Sequence, residues 1–347
     1  MTTNWTRRRI GALGLGSIAW LAGSRLAAAA APDPAALVDP ELRPVLDQMK
    51  ALAMPPFTVE NLPQLRQAMG RFGGPRLADP AVVERRIDGP PGAPQVRVFV
   101  INAGAGARPA ILHIHGGGYV TGSPEANIAD LQRTALRRDC VVVSVDYRLA
   151  PETRFPGSLE DNYAALRWLQ SSSAELGVDP ARIVVMGESA GGGHAAALAI
   201  AARDRGQIAL AGQVLVYPML DDRTGSVRPT PPHQGAWVWT AAQNRLGWEA
   251  LLGVPAGSPN PPPGAVPARV ADLSGLPPAF IGVGALDLFV DEDVDYARRL
   301  VDAGVPTELV VAPGAFHGFN GIAPQARVSQ RFNAAIDAAL ARFFARA

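Results

Sequence analysis

Five residues, Gly187-Glu188-Ser189-Ala190-Gly191, set a serine hydroxyl between two glycines. The run Ile183-Val184-Val185-Met186 precedes them, and a small-residue stretch with helical character, Ala190 to Ala202, follows. A serine at such a strand-to-helix junction sits on a sharp turn with its Oγ exposed above a sheet. Glycines flank it because a Cβ at either position would collide with a neighbouring element. A hydroxyl presented this way suits acyl transfer, provided a base lies within hydrogen-bond reach and a carboxylate orients the base. Upstream, His115-Gly116-Gly117-Gly118-Tyr119 follows the apolar run Ala110-Ile111-Leu112-His113-Ile114. Three consecutive glycines free the backbone to aim N–H groups at a ligand. Acyl transfer needs such donors for the negative oxygen of its tetrahedral intermediate.

These groups need a scaffold, and the sequence describes one. Strand-like runs recur at 96–101, 110–115, 140–145, 182–186, 213–217, 279–283 and 307–311. Amphipathic stretches near 125–138, 156–176, 189–205, 291–303 and 326–345 separate most of them. Continuous apolar strands alternating with helices predict a mostly parallel sheet covered by helices on both faces, an α/β class. Ligands of such sheets bind beyond the carboxyl ends of the strands. Gly116, Ser189, Asp287 and His317 each come just after a predicted strand, which points to one shared site. Two segments fall outside this rhythm. Residues 32–88 read as helices broken by prolines, with no strand. Residues 221–262 carry Trp237, Trp239 and Trp248 and then enter a proline-rich stretch, Pro255 to Pro267.

With both glycine motifs in place, the chain resembles the hormone-sensitive-lipase-like branch of the α/β-hydrolases, bacterial carboxylesterases with an HGGG loop and a GDSAGG-type elbow. The resemblance runs from about Val96 to the C-terminus. It includes Asp146-Tyr147-Arg148-Leu149-Ala150-Pro151-Glu152, Phe155-Pro156, Gly284-Ala285-Leu286-Asp287-Leu288 and Phe316-His317-Gly318-Phe319. Glu188 stands where the branch often has Asp, and Leu288-Phe289-Val290 stands where Pro-Leu is common; neither departure removes a catalytic group. The resemblance implies an α/β-hydrolase core over residues 89–347. It also implies a helical cap formed by residues 32–88 and the insert at 221–262. It assigns His115 to holding the glycine loop and Tyr147, Arg148 and Glu152 to bracing the loop beneath the site. It favours short- to medium-chain esters.

The chain order of such enzymes is serine, acid, histidine, and Ser189, Asp287 and His317 occur in that order. Of five histidines, only His317 follows the candidate acid. His113 lies inside a strand. His194 sits on the helix after Ser189 and points away from the elbow. His233 lies among prolines in the insert. Asp287 directly follows its strand, with Asp291 as the fallback. Asp291, Glu292, Asp293 and Asp295 read mostly as charges at a helix N-terminus, favoured there by the helix dipole. Ser189 would attack an ester carbonyl, His317 would take its proton, and Asp287 would fix the imidazole tautomer. The N–H groups of Gly117, Gly118 and Ala190 would form the oxyanion hole. Activity would rise as His317 loses its proton. Amidase, lactonase and deacetylase chemistry use the same groups, and a non-catalytic small-molecule receptor shares the scaffold.

Bulk properties narrow the class. The chain has 347 residues, is 48% hydrophobic and carries a formal charge of +1, with no basic stripe for nucleic acid. Nothing calls for a metal or organic cofactor: the single cysteine, Cys140, opens a strand, and no Cys/His cluster has zinc spacing. Thr6-Arg7-Arg8-Arg9 followed by the apolar run Ile10 to Ala22 and alanine-rich residues up to Ala31 reads as a signal peptide of twin-arginine type, residues 1–31. The expected mature protein is periplasmic or extracellular and has no stable membrane span. Its partner is a small-molecule ester, and a homodimer is allowed.

Overall fold

The computed structural model describes residues 33–51, 56–70 and 73–345. The signal-like segment, residues 1–31, lies outside them. Eight strands form one sheet: β1 (Val82–Ile87), β2 (Val96–Ile101), β3 (Arg108–Ile114), β4 (Val141–Asp146), β5 (Val178–Glu188), β6 (Gly212–Val216), β7 (Ala279–Gly284) and β8 (Thr307–Ala312). Their spatial order is β1-β2-β4-β3-β5-β6-β7-β8. The pairs β1·β2 and β2·β4 are antiparallel, and every later pair is parallel. Among the described residues ten α-helices accompany them: α1 (Arg43–Ala51), α2 (Leu62–Met69), α3 (Ile128–Arg138), α4 (Gly157–Ser171), α5 (Ser173–Leu176), α6 (Ala190–Arg205), α7 (Ala241–Leu252), α8 (Val290–Asp302), α9 (Phe319–Ile322) and α10 (Arg327–Phe344).

The unbroken apolar character of the central strands has a direct cause, because both faces are core. Val141, Val143 and Val145 of β4 join Ile183 and Val185 of β5 in one cluster, roofed by Leu166 of α4, Leu198 of α6 and Leu300 of α8. The alternate residues Val142, Val184 and Met186 face a second cluster with Leu131 of α3 and Phe332, Ile336 and Leu340 of α10. Side chains one residue apart on a strand point to opposite faces, so both sets must be apolar. Helix α6 buries nearly its whole surface, which explains its lack of a polar face. Cys140 is one of the buried apolar residues, and desolvation pushes its thiol up to about 12.

One expectation is corrected. The stretch 32–88 contains a strand, because β1 pairs along β2 at the edge of the sheet. Its residues Val83, Glu84, Arg85 and Arg86 are exposed, so no apolar alternation marks it. A third apolar cluster lies at the carboxyl end of the sheet. There Leu62 and Leu65 of α2 meet Trp239, Trp248 and Leu251 of the insert, together with Tyr119, Ala190 and Phe289. The insert contains α7, whose N-terminus is fixed by a reciprocal capping pair, Thr240 and Gln243. The remoter N-terminal segment and the insert thus pack on each other directly above the strand ends.

Candidate active site

Strand β5 ends at Glu188 and α6 begins at Ala190, leaving Ser189 alone in the turn at φ 57° and ψ −123°. This conformation is sparsely populated for a residue with a Cβ and persists only where the surroundings impose it. Here the main chain imposes it. Ser189 N–H donates to Val216 O at 2.9 Å, while Ser189 O accepts from Met219 N–H and Gly193 N–H at 3.0 Å each. A Cβ on Gly191 would lie 2.0 Å from Ile114 O at the end of β3, so the elbow can seat against the glycine loop only with glycine there.

Three side chains from three strand ends meet at this turn. His317, in the loop after β8, has Nε2 2.9 Å from Ser189 Oγ. Its Nδ1 lies 2.8 Å from Asp287 Oδ2, in the loop after β7. The carboxylate can only accept, so Nδ1 carries the proton and Nε2 accepts from the serine hydroxyl. The other carboxylate oxygen, Asp287 Oδ1, accepts Phe289 N–H at 3.0 Å, which fixes the rotamer. The acid and histidine loops are tied by Leu286 N–H to Ala315 O at 2.9 Å. All three residues are at least nine-tenths buried. The rings of Tyr217, Phe289 and Trp239 stand 4.8, 5.3 and 6.4 Å from the His317 ring.

The glycine loop faces the elbow. Gly117 O accepts from Val120 N–H, Thr121 N–H and Thr121 Oγ–H. The N–H groups of Gly117 and Gly118 donate to no described protein acceptor. Ala190 N–H belongs to the first turn of α6, where backbone donors lack partners within the helix. A Cβ on Gly118 would fall 2.1 Å from the Trp239 ring, so the insert closes directly over the loop.

A family model for the alpha/beta hydrolase fold matches residues 111–321, a span that holds every group just described. The chain belongs to the hormone-sensitive-lipase-like α/β-hydrolases. It is 35% identical over 246 residues to esterase LipI of Mycobacterium tuberculosis, covering 70% of this chain and 76% of that protein. Carboxylesterase NlhH of the same species is 35% identical over 296 residues, 81% and 88% of the two chains. Among solved structures, bacterial heroin esterase superposes with a TM-score of 0.77 at 36% identity, covering 89% of this chain and 98% of that one.

The remaining residues singled out in this α/β-hydrolase fall into supporting places. Tyr147 donates its hydroxyl to His115 O at 2.9 Å and stacks on the His115 ring at 4.3 Å. His115 Nδ1 bonds Gly116 O at 2.8 Å, and burial pulls its pKa down to about 4. His194 lies buried between Tyr119 and Tyr147, and burial pulls it down to about 3. His233 lies half-buried in the insert. Arg148 pairs with the fully buried Asp161 at 2.8 Å. Asp291 is exposed and accepts from Gln234 at 3.2 Å, while the carboxylate bonded to His317 is that of Asp287.

Three features were not foreseen. Glu292 and Asp293 do lie in the first turn of α8, as expected, but both are buried there. Glu292 accepts Leu220 N–H and Asp221 N–H at 2.7 and 3.1 Å, and desolvation pushes both carboxyls well up. His113, inside β3, reaches Glu188 Oε2 at 3.0 Å through Nε2 and Ser144 Oγ at 2.8 Å through Nδ1. Glu188, the residue before Ser189, is thereby anchored through its side chain. Arg66 of α2 forks onto Glu152 at 2.8 Å for each oxygen. Its signal was present: Arg66 lies four residues after Leu62 and one after Leu65, close to the face that α2 buries.

Proposed function

We propose that this carboxylic ester hydrolase is a serine esterase acting through Ser189, His317 and Asp287. The observation that carries the reading is the unbroken hydrogen-bond chain Asp287–His317–Ser189, ending opposite backbone N–H groups of the glycine loop that have no partner among the described residues. Ser189 Oγ adds to the ester carbonyl as its proton passes to His317 Nε2. The carbonyl oxygen takes the negative charge and is held by the N–H groups of Gly117, Gly118 and Ala190. The intermediate collapses, His317 gives its proton to the leaving alkoxide, and an alcohol departs from an acyl-serine. Water then adds to the acyl carbonyl, giving a proton to His317. Collapse returns that proton to Ser189 and releases the acid. Asp287 stays ionised throughout and holds Nδ1–H.

Trp239 over Gly118 and Phe289 beside His317 support a preference for short- to medium-chain acyl groups, because both rings occupy space beside the carbonyl site. Packing of α2 against the insert supports a cap role for these two segments. Residues 1–31 are proposed as a twin-arginine export signal on their sequence; N-terminal sequencing of the exported protein would give a start near residue 32 if this is right and residue 1 if it is wrong. The mechanism is tested by hydrolysis of p-nitrophenyl acetate, butyrate and decanoate beside Ser189→Ala, with fluorophosphonate labelling. Serine-dependent turnover that falls from butyrate to decanoate is expected. Equal turnover by Ser189→Ala would overturn the mechanism.

A further inference from the structure

We propose that Arg66 is a positioning residue for the oxyanion hole, so that the N-terminal segment sets the rate of the chemical step and not only the entry of substrate. The inference rests on the serine-esterase reading given above. Arg66 lies on α2, 54 residues before Val120, and all three of its guanidinium nitrogens are engaged. Nε donates to Val120 O at 2.8 Å and Nη2 to Ala150 O at 2.9 Å. Nη1 and Nη2 fork onto the two oxygens of Glu152 at 2.8 Å each.

The contact with Val120 leads to the site through two peptide groups in series. Val120 C=O and Thr121 N–H are opposite ends of one rigid planar unit. Thr121 N–H donates to Gly117 O at 2.9 Å. Gly117 C=O and Gly118 N–H are in turn opposite ends of the next planar unit, and Gly118 N–H is a proposed oxyanion donor. A cation that fixes the first carbonyl therefore fixes the direction of the last N–H, and polarisation along such a chain strengthens each bond. The contact with Ala150 closes the arrangement from the side, because Ala150 N–H donates to Tyr119 O at 3.0 Å. Glu152 holds the guanidinium in the plane that both carbonyls require.

An ordinary ion pair does not account for this geometry. The Glu152 side chain is 62% exposed, and such exposed pairs contribute little to stability. The two directed bonds to main-chain carbonyls beside the glycine loop are what distinguish Arg66 from surface arginines.

The test is steady-state kinetics on p-nitrophenyl acetate with the full chain and its Arg66→Met, Arg66→Lys and Glu152→Gln variants, beside Ser189→Ala. Binding of a trifluoromethyl ketone is measured in parallel, since its adduct with Ser189 places a negative oxygen in the hole. Removing an oxyanion donor outright costs about 10²- to 10³-fold in kcat; misdirecting one is expected to cost Arg66→Met about 10- to 50-fold. KM should move by less than about twofold, and ketone affinity should fall in parallel with kcat. Arg66→Lys should recover part of the loss by reaching one carbonyl, and Glu152→Gln should lose only a few-fold. Should Arg66→Met fail to fold, the order wild type, Glu152→Gln, Arg66→Lys in kcat and ketone affinity carries the test. A rise in KM at unchanged kcat, or a lower unfolding midpoint with both constants unchanged, overturns the proposal. Turnover retained by Ser189→Ala overturns the serine mechanism and this proposal with it. Turnover lost in Ser189→Ala but kept at full kcat in all Arg66 and Glu152 variants overturns this proposal alone.

Discussion

The Ser189 elbow and the glycine loop face each other across one gap, yet they are held by opposite means. The elbow is fixed by main chain: the bonds of Ser189 run to Val216, Met219 and Gly193, and Gly191 abuts Ile114 O. The loop is fixed largely by side chains, its own Tyr119 and others that arrive from elsewhere. Tyr119 reaches Met219 O, Tyr147 reaches His115 O, Arg66 reaches Val120 O, and Trp239 covers Gly118. Damage to the elbow should therefore appear in folding, whereas damage to the loop should appear in the rate with the fold intact.

The largest effect should come from His317, the proposed base. His317→Gln preserves bulk but cannot shuttle the proton, and kcat for p-nitrophenyl acetate should fall by about 10⁵- to 10⁶-fold, with an unchanged thermal midpoint. Next is Gly191→Ala, whose Cβ would overlap a backbone oxygen at 2.0 Å. Urea unfolding should show a loss of more than about 3 kcal/mol, of the size seen for severe backbone and core disruptions. Gly117→Ala introduces a similar overlap, 2.1 Å from Thr121 O at φ +125°, but in a segment that side chains hold. It should fold, keep KM within a few-fold and lose about 10²-fold in kcat. Equal loss of stability in the two glycine variants would break the comparison.

The smallest expected effect concerns acid. His115 and His194 lie behind the glycine loop with pKa values pulled down to about 4 and about 3 by burial. The unfolded chain takes up their protons below about 6.5, whereas the folded chain does not, so each removes stability as the pH falls from about 6.5 towards those values. At pH 5 the loss is about 2 kcal/mol per histidine. Buried Glu292 and Asp293 act with the opposite sign, since their raised carboxyls keep protons that the unfolded chain releases. The informative quantity is thus a difference. Between pH 7.5 and pH 5, His194→Phe should lose about 2 kcal/mol less than the wild type in urea titrations.

The same contrast explains what could be read from the sequence. Ser189, Asp287 and His317 were legible because each follows a strand whose apolar run announces it, and the sheet brings the strand ends together. Seven strands were placed to within a few residues for that reason. β1 was not, because its exposed Glu84, Arg85 and Arg86 erase the apolar pattern. Helix α7 was hidden by the prolines and tryptophans around it. Arg66, the Glu188–His113 pair and the burial of Glu292 and Asp293 depend on which side chains tertiary packing brings together. Residue type and local spacing do not encode that, apart from the one arginine placed beside the buried leucines of α2.

The two margins of the sheet are unequal. β1 sets Glu84, Arg85 and Arg86 outward at one margin, whereas β8 ends the other with Leu309 and Val311 exposed. A stray chain adding to β1 would have to desolvate charge, and natural edge strands commonly resist aggregation in this way. β8 carries a single charge, Glu308, and it is already paired with Arg342. In a heated or concentrated solution, intermolecular strand addition should begin there, and a lysine in place of Val311 should delay it.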